Sequence, residues 1–296
     1  MLPELFSIGP FKFHSFGAML ALSFLTANYI VSKELERKRI TQDVTGTVLM
    51  ITIVLGVIGA KLFSILENLD AFRRDPAGVF FNAGGLTFYG GMILALIGNF
   101  FYLKSQKVSI PKFFDAAAPA LMLAYGIGRV GCLLAGDGCY GEPCQLPWAM
   151  TYPNGYESTL AAQNPALKLR FMQLFPNQPV PLDIPVHPTP IYETLYSIAF
   201  FAILWRLRTE PRAAGWLFSV YVMLQAVGRF FVEFIRINDI VAFGLTQAQL
   251  ISIGLFIAGA IGVALTASKG APTETEEIST TNKKQPAKKR AAAKTA

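Results

Sequence analysis

The chain has 296 residues, of which 53% are hydrophobic and 15% charged, with a formal net charge of +7. A mean hydropathy of +0.43 is membrane composition and excludes an ordinary soluble domain. The positive balance is carried by loops and a tail, so it reports topology and an anionic inner leaflet rather than nucleic acid, which is not an expected partner.

A helix needs about 20 apolar residues to cross the hydrocarbon core. Seven runs qualify, at about 13–32, 45–67, 88–104, 113–135, 190–207, 214–235 and 245–267. They predict an all-α integral membrane protein with seven transmembrane helices. The runs are too long, and lack the period-two alternation, for membrane strands. The first run follows Glu4 with no basic stretch and no small-residue cleavage site, so it reads as a retained anchor rather than a signal peptide. The third is short, and Gly90-Gly91 blurs its start.

Segment 136–187 is rich in Pro and Gly and holds two cysteines. It predicts a small extracytoplasmic cap of short strands or turns, with Trp148 and Tyr152 at the interface. Residues 1–268 read as one membrane domain. Residues 269–296 are low-complexity and basic, and predict a disordered tail. No internal repeat is visible, which argues against an inverted-repeat transporter.

Orientation follows from the loop cations. Lys33, Arg37, Lys38 and Arg39 follow the first run; Lys104, Lys107 and Lys112 follow the third; Arg206, Arg208 and Arg212 follow the fifth; the tail is basic. The alternate loops hold fewer cations. Basic loops stay in the cytoplasm, so the N-terminus is expected outside (periplasmic) and the C-terminus inside.

Cys132 falls in the outer half of the fourth run and reads as a buried structural thiol. Cys139 and Cys144 fall outside, where a disulfide between them is one option. No histidine adjoins the cysteines, and His14 and His187 are far apart in sequence. No metal or other cofactor is therefore expected.

Three cations, Lys61, Arg129 and Arg229, sit inside apolar runs. Each costs roughly 2.5–3.5 kcal/mol at the bilayer centre, so such groups face a bundle interior or cavity and take a partner. An anion, with lipid phosphate the most available, is the reading they favour. Arg129 stands among Gly126, Gly128 and Gly131, with Asp137 about two turns on. Small residues admit a backbone or headgroup. The plainer alternative is helix packing, with the arginine paired to a neighbouring acid. Arg229, Glu233 and Arg236 share one helical face by spacing. An internal salt bridge explains Glu233, yet Arg236 adds a second cation, and guanidinium grips phosphate through two parallel hydrogen bonds. In His187-Pro-Thr-Pro-Ile-Tyr192-Glu193, Thr189 suits an N-cap, Pro190 the first helical position and Glu193 the first turn. His187 reads either as a base or headgroup contact or as structural. Tyr89, in Gly84-Gly-Leu-Thr-Phe-Tyr-Gly-Gly91, reads either as a headgroup donor or as an interfacial tyrosine.

Taken together, Gly59-Ala-Lys61-Leu, Gly84–Gly91, Asp115-Ala-Ala-Ala-Pro119 with Gly128-Arg129-Val-Gly131, His187–Glu193, Arg229-Phe-Phe-Val-Glu-Phe-Ile-Arg236 and Gly244-Leu-Thr-Gln-Ala-Gln-Leu-Ile-Ser252 resemble the prolipoprotein diacylglyceryl transferases of the bacterial inner membrane. The resemblance implies transfer of the diacylglyceryl group of phosphatidylglycerol to the lipobox cysteine of a preprolipoprotein, with glycerol phosphate leaving. It implies Arg129, Arg229, Asp137 and Tyr89 as catalytic positions. It implies Arg236, Glu233, His187, Tyr192, Glu193 and Lys61 as substrate-binding positions, with membrane lipids around them. The chain departs from the family pattern at several places. Tyr89 stands for the histidine between paired glycines, Cys132 for an asparagine, Asp137 for a glutamate, Lys61 for an arginine, Phe16 for a tyrosine and Gln225 for another tyrosine. These departures leave the general base open among Asp137, Tyr89 and His187. They also leave two rivals: a lipid-headgroup binder without chemistry, and a sibling transferase with another donor or acceptor. A retinal-type receptor is disfavoured because no lysine lies between Gly244 and Ser268.

Overall fold

The structure, a computed structural model, describes residues 1–9, 11–40, 44–81 and 87–268. The predicted tail 269–296 and the stretch from Gly84 to Leu86 in the glycine motif lie outside the described residues. In chain order the elements are β1 (Glu4–Ile8), β2 (Phe11–His14), α1 (Ser15–Arg37), α2 (Thr45–Glu67), α3 (Leu69–Arg74), α4 (Pro76–Phe81), α5 (Phe88–Ser105), α6 (Ile110–Ala135), α7 (Pro165–Leu174), α8 (Thr189–Leu207) and α9 (Trp216–Val232). A 3-10 turn (Glu233–Ile235), β3 (Ile240–Ala242), β4 (Leu245–Thr246) and α10 (Gln247–Ala267) follow.

Every predicted run became a helix, with shifted ends. α1 continues to Arg37 because Lys33–Glu36 and Glu34–Arg37 pair across one turn, which supports helix beyond the apolar stretch. α6 starts three residues early at Ile110, with Pro111 in its first turn, where a missing N–H costs nothing. Among the described residues, five helical segments are long and apolar enough to cross a membrane: α1, α2, α6, Trp216–Ile235 and α10. The runs at 88–104 and 190–207 are the helices α5 and α8, of 18 and 19 residues, outside that set of five. Among the described residues the strands are two short antiparallel hairpins, β1–β2 and β3–β4, each directly before a helix, with Phe13–His14 and Leu245–Thr246 taken from the starts of predicted apolar runs.

α6 is the central helix, packed against α1, α8 and α9. Its Ala116, Ala117, Ala118, Ala120 and Met122 are buried, and small side chains let neighbouring helices approach closely. α2 and α5 pack on each other across glycines: a Cβ on Gly59 would strike the carbonyl of Gly90. Large apolar side chains such as Leu25, Val57, Phe101 and Leu265 are exposed on the outer faces, the inverse of a water-soluble bundle and suited to hydrocarbon contact.

The two ends of the bundle differ. At one, buried Glu34 takes Arg37 at 2.7 Å and Arg208. Nearby, Asp115 of α6 accepts hydrogen bonds from the backbone N–H of Gly215 (2.7 Å) and Phe218 (2.9 Å), so one helix caps another. At the other end, α6 stops at Gly136, whose φ of +60° is left-handed and whose Cβ, were there one, would lie 2.7 Å from Gly155 Cα. Segment 136–187 folds over this end around buried Tyr152, Phe171, Ile184 and Val186. It is held by isolated bridges, such as Gly141 with Arg236 and Met150 with Val186. It also contains the helix α7, where only strands or turns were predicted. Asn164 caps α7 by accepting from the Leu167 N–H at 2.9 Å, and Pro165 begins it.

Candidate active site

Three helices deliver charge to one place beneath segment 136–187. Glu193 of α8 is fully buried. Its carboxylate receives Arg129 of α6 through Nε, Arg229 of α9 at 3.3 Å, and Arg236 at 3.2 Å. Tyr125 OH, one turn before Arg129, donates to it at 3.0 Å. Glu233 is a second buried carboxylate. It pairs with Arg229 at 2.8 Å and Arg236 at 3.9 Å, and accepts from Asn238 (2.6 Å) and Thr246 (2.9 Å). The i, i+4 and i, i+3 spacing read from the sequence thus holds, even though α9 tightens into a 3-10 turn at Glu233.

The burial is asymmetric. The two glutamate side chains are at most 1% exposed, while those of Arg129, Arg229 and Arg236 are 18%, 24% and 13% exposed. The anions lie behind and the cations in front. Within the ion-paired set, three guanidinium charges face two carboxylates, so one positive charge is left over. A surplus cation of this kind is the chemistry that suits an anion.

Two sequence readings at α8 need correction. Thr189 is the first helical residue, not the cap; the cap is Pro188, without a side-chain bond. Thr189 Oγ1 donates instead to the Cys139 carbonyl. Glu193 is likewise not in the first turn. The arginine cluster, not the helix dipole, is its partner.

The other predicted positions scatter around the network. Asp137 Oδ1 accepts the Cys139 N–H at 3.2 Å, and its carboxylate lies within 4.8 Å of the Cys132 and Cys139 sulfurs. Arg129 Nη1 touches those sulfurs at 3.8 and 3.6 Å. His187 Nδ1 meets Tyr192 OH at 3.4 Å, and Trp148 Nε1 donates to that hydroxyl at 2.8 Å. Burial holds the His187 imidazole below its usual value. Tyr89, half exposed, sits in the first turn of α5, and Lys61 is on α2. The ion pairs of Glu193 and Glu233 among the described residues include neither.

All three cysteines are free thiols, with Cys144 buried and its N–H bonded to the Pro185 carbonyl at 2.9 Å. Cys139 therefore faces Cys132, not Cys144. Cys132, Asp137 and Cys139 resemble a ligand set for a soft cation, but the guanidinium of Arg129 against both sulfurs repels one. Hydrogen bonding with Cys132, helped by the Arg129 and Arg236 charges, lowers the Cys139 thiol from its usual value against the opposing desolvation and the Asp137 charge.

Sequence reasoning missed Tyr125 and Tyr196, whose hydroxyls lie 3.2 Å apart beside Glu193. Tyr125 is four residues before Arg129 and Tyr196 three after Glu193. Helical spacing from the charges was the available signal.

Fold and site define a multi-pass helical membrane protein with a buried arginine–carboxylate network. The prolipoprotein diacylglyceryl transferase family model matches residues 3–265, and the chain belongs to that family. It is 31% identical over 239 residues to the phosphatidylglycerol–prolipoprotein diacylglyceryl transferase of Clostridium tetani, covering 80% of this chain and 86% of that one. The transferase of the same name from Dehalococcoides mccartyi (strain ATCC BAA-2266 / KCTC 15142 / 195) is 30% identical over 252 residues, covering 85% and 88%. That of Chromohalobacter salexigens is 27% identical over 266 residues, covering 87% and 89%.

Proposed function

We propose that this chain transfers the diacylglyceryl group of phosphatidylglycerol to the lipobox cysteine thiol of a preprolipoprotein. The thiolate sulfur attacks the glycerol carbon bonded to phosphate. A C–S bond forms, the C–O bond breaks, and glycerol phosphate leaves with the electron pair. The thiol proton passes to a base of the enzyme. The observation that carries this reading is the convergence of Arg129, Arg229 and Arg236 on Glu193, with the arginine side chains more exposed than the carboxylate they share.

The leaving phosphate gains negative charge in the transition state. Fixed donors aimed at developing charge are the largest usual contribution to such a step. Arg129 and Arg229 form the clamp, Arg236 supports it, and Glu193 and Glu233 hold the three guanidiniums in place. Asp137 is the base this reading favours, because its carboxylate borders the sulfurs that Arg129 touches. Tyr89, His187, Tyr192 and Lys61 border the lipid and peptide path.

In this reading all seven runs span the membrane, with the N-terminus periplasmic and the tail 269–296 cytoplasmic. Segment 136–187 is the extracytoplasmic cap. The loop cations support that orientation, and the residues 1–268 act as one domain in the bacterial inner membrane.

The test is incubation of the purified protein with phosphatidylglycerol labelled in its acyl chains and a lipobox peptide. The expected product is a thioether-linked diacylglyceryl peptide together with glycerol phosphate. A peptide that stays unmodified while the protein still binds the lipid would leave only the headgroup-binding reading.

A further inference from the structure

Cys132 lies in the last turn of α6, and Cys139 follows seven residues later. Their sulfurs and the Asp137 carboxylate all lie within 4.8 Å of one another. The backbone between them is fixed. Gly136 N–H bonds the Cys132 carbonyl at 2.9 Å, Cys139 N–H bonds Asp137 at 3.2 Å, and Thr189 holds the Cys139 carbonyl. Arg129 Nη1 reaches both sulfurs. Cys132 is buried, whereas Cys139 is only partly so.

We propose that Cys132 and Cys139 form a redox-active dithiol, a modification site on the rim of the arginine network that small disulfides oxidise. The inference stands apart from the transfer reaction. Thiolate character is what makes a cysteine reactive. A guanidinium against the sulfur, partial exposure and a resolving thiol beside it meet the requirements of exchange. Cys139 is the attacking group because it is the more accessible.

The Cys139 thiolate attacks one sulfur of the small disulfide, giving a mixed disulfide and one released thiolate. Cys132, losing its proton to solvent, attacks the Cys139 sulfur. The Cys132–Cys139 bond forms and the second small thiol leaves. The protein dithiol is oxidised and one equivalent of disulfide is reduced to two thiols. The bond ties the Asp137 loop to the last turn of α6 and removes the thiol contacts of Arg129.

The experiment uses the full chain in detergent, reduced, freed of reductant, then incubated with oxidised glutathione. Remaining thiols are alkylated after denaturation, and the peptides are mapped by mass spectrometry. Expected is a Cys132–Cys139 linkage with Cys144 alkylated. In Cys132→Ser the reaction is expected to stop at a single glutathione adduct on Cys139. A Cys139–Cys144 linkage, or three fully alkylated thiols in the folded wild type, overturns the proposal. The wild-type map decides the matter even if the variant does not fold.

Discussion

Arg229 Nη1 lies 3.3 Å from Glu193 Oε1, so a cation from α9 and an anion from α8 meet across two apolar helices. A buried carboxylate alone is expensive; one shared by three guanidiniums and a tyrosine hydroxyl is compensated. The guanidiniums gain a fixed direction from the same contacts, and their side chains are more exposed than that of Glu193. Preorganisation of this kind is what an electrostatic clamp needs, because nothing then has to reorient as charge develops.

Arg129→Ala and Arg229→Ala are therefore expected to lower diacylglyceryl transfer by on the order of 10²–10³ or more, with the protein still in the membrane. Lysine at either position keeps the charge and loses the two-pronged grip, so it should fall between alanine and wild type. Release of glycerol phosphate from labelled phosphatidylglycerol measures both. Wild-type turnover in the two alanine variants would remove the clamp.

Glu193→Gln tests the support rather than the clamp. It takes the carboxylate from Arg129 and leaves Arg229 and Arg236 with Glu233 alone, and breaking a buried pair on one side costs about 3–5 kcal/mol. A clear drop in unfolding temperature in detergent is expected, together with loss of transfer. Glu193→Asp keeps the charge and should recover more stability than Gln. Equal stability of Gln and wild type would show that the network is not compensating Glu193.

Much of this site was visible as residue types and spacing. Arg129, Arg229, Glu233 and Arg236 announce themselves because charge in an apolar run has few structural excuses. The role of Glu193 was not visible. Its place just after a Pro-Thr-Pro start read as a helix-dipole contact, and only the crossing of α6, α8 and α9 turns it toward the arginines. The helix α7 was missed because the prolines around it suggested turns, although Asn164-Pro165 is also a helix start. The Cys139–Cys144 disulfide, left open by the sequence, is not formed: both thiols are free. Sequence places Cys139 and Cys144 in one loop, while the left-handed residues Gly136 and Gly138 turn Cys139 back toward the end of α6.

Asp115 offers a test that should leave the chemistry alone. Its carboxylate satisfies two N–H groups at the start of α9, where Gly215 has no side chain to do so. Asp115→Ala should cost about 0.5–2 kcal/mol, the usual range for a lost cap, more if the bare N–H groups stay dry. Transfer per folded molecule should stay near wild type, because the cap lies at the opposite end of α9 from Arg229. Thermal unfolding and a transfer assay on the same sample separate the two effects.

His187 gives a prediction in pH. Burial disfavours its charged form, so its folded value lies below the usual 6.5, and the imidazole is neutral at neutral pH. The unfolded chain then binds the proton more readily than the folded one. Stability is unaffected well above 6.5, declines as pH falls through 6.5, and the loss is complete below the folded value. His187→Gln removes that pH dependence and keeps a hydrogen-bonding side chain beside Tyr192. From about pH 7 to about pH 5, a window that spans the ordinary histidine range, wild type should lose unfolding temperature relative to His187→Gln. Imidazole NMR shifts should titrate below 6.5. A titration at or above 6.5, or parallel stability curves, would contradict the burial argument.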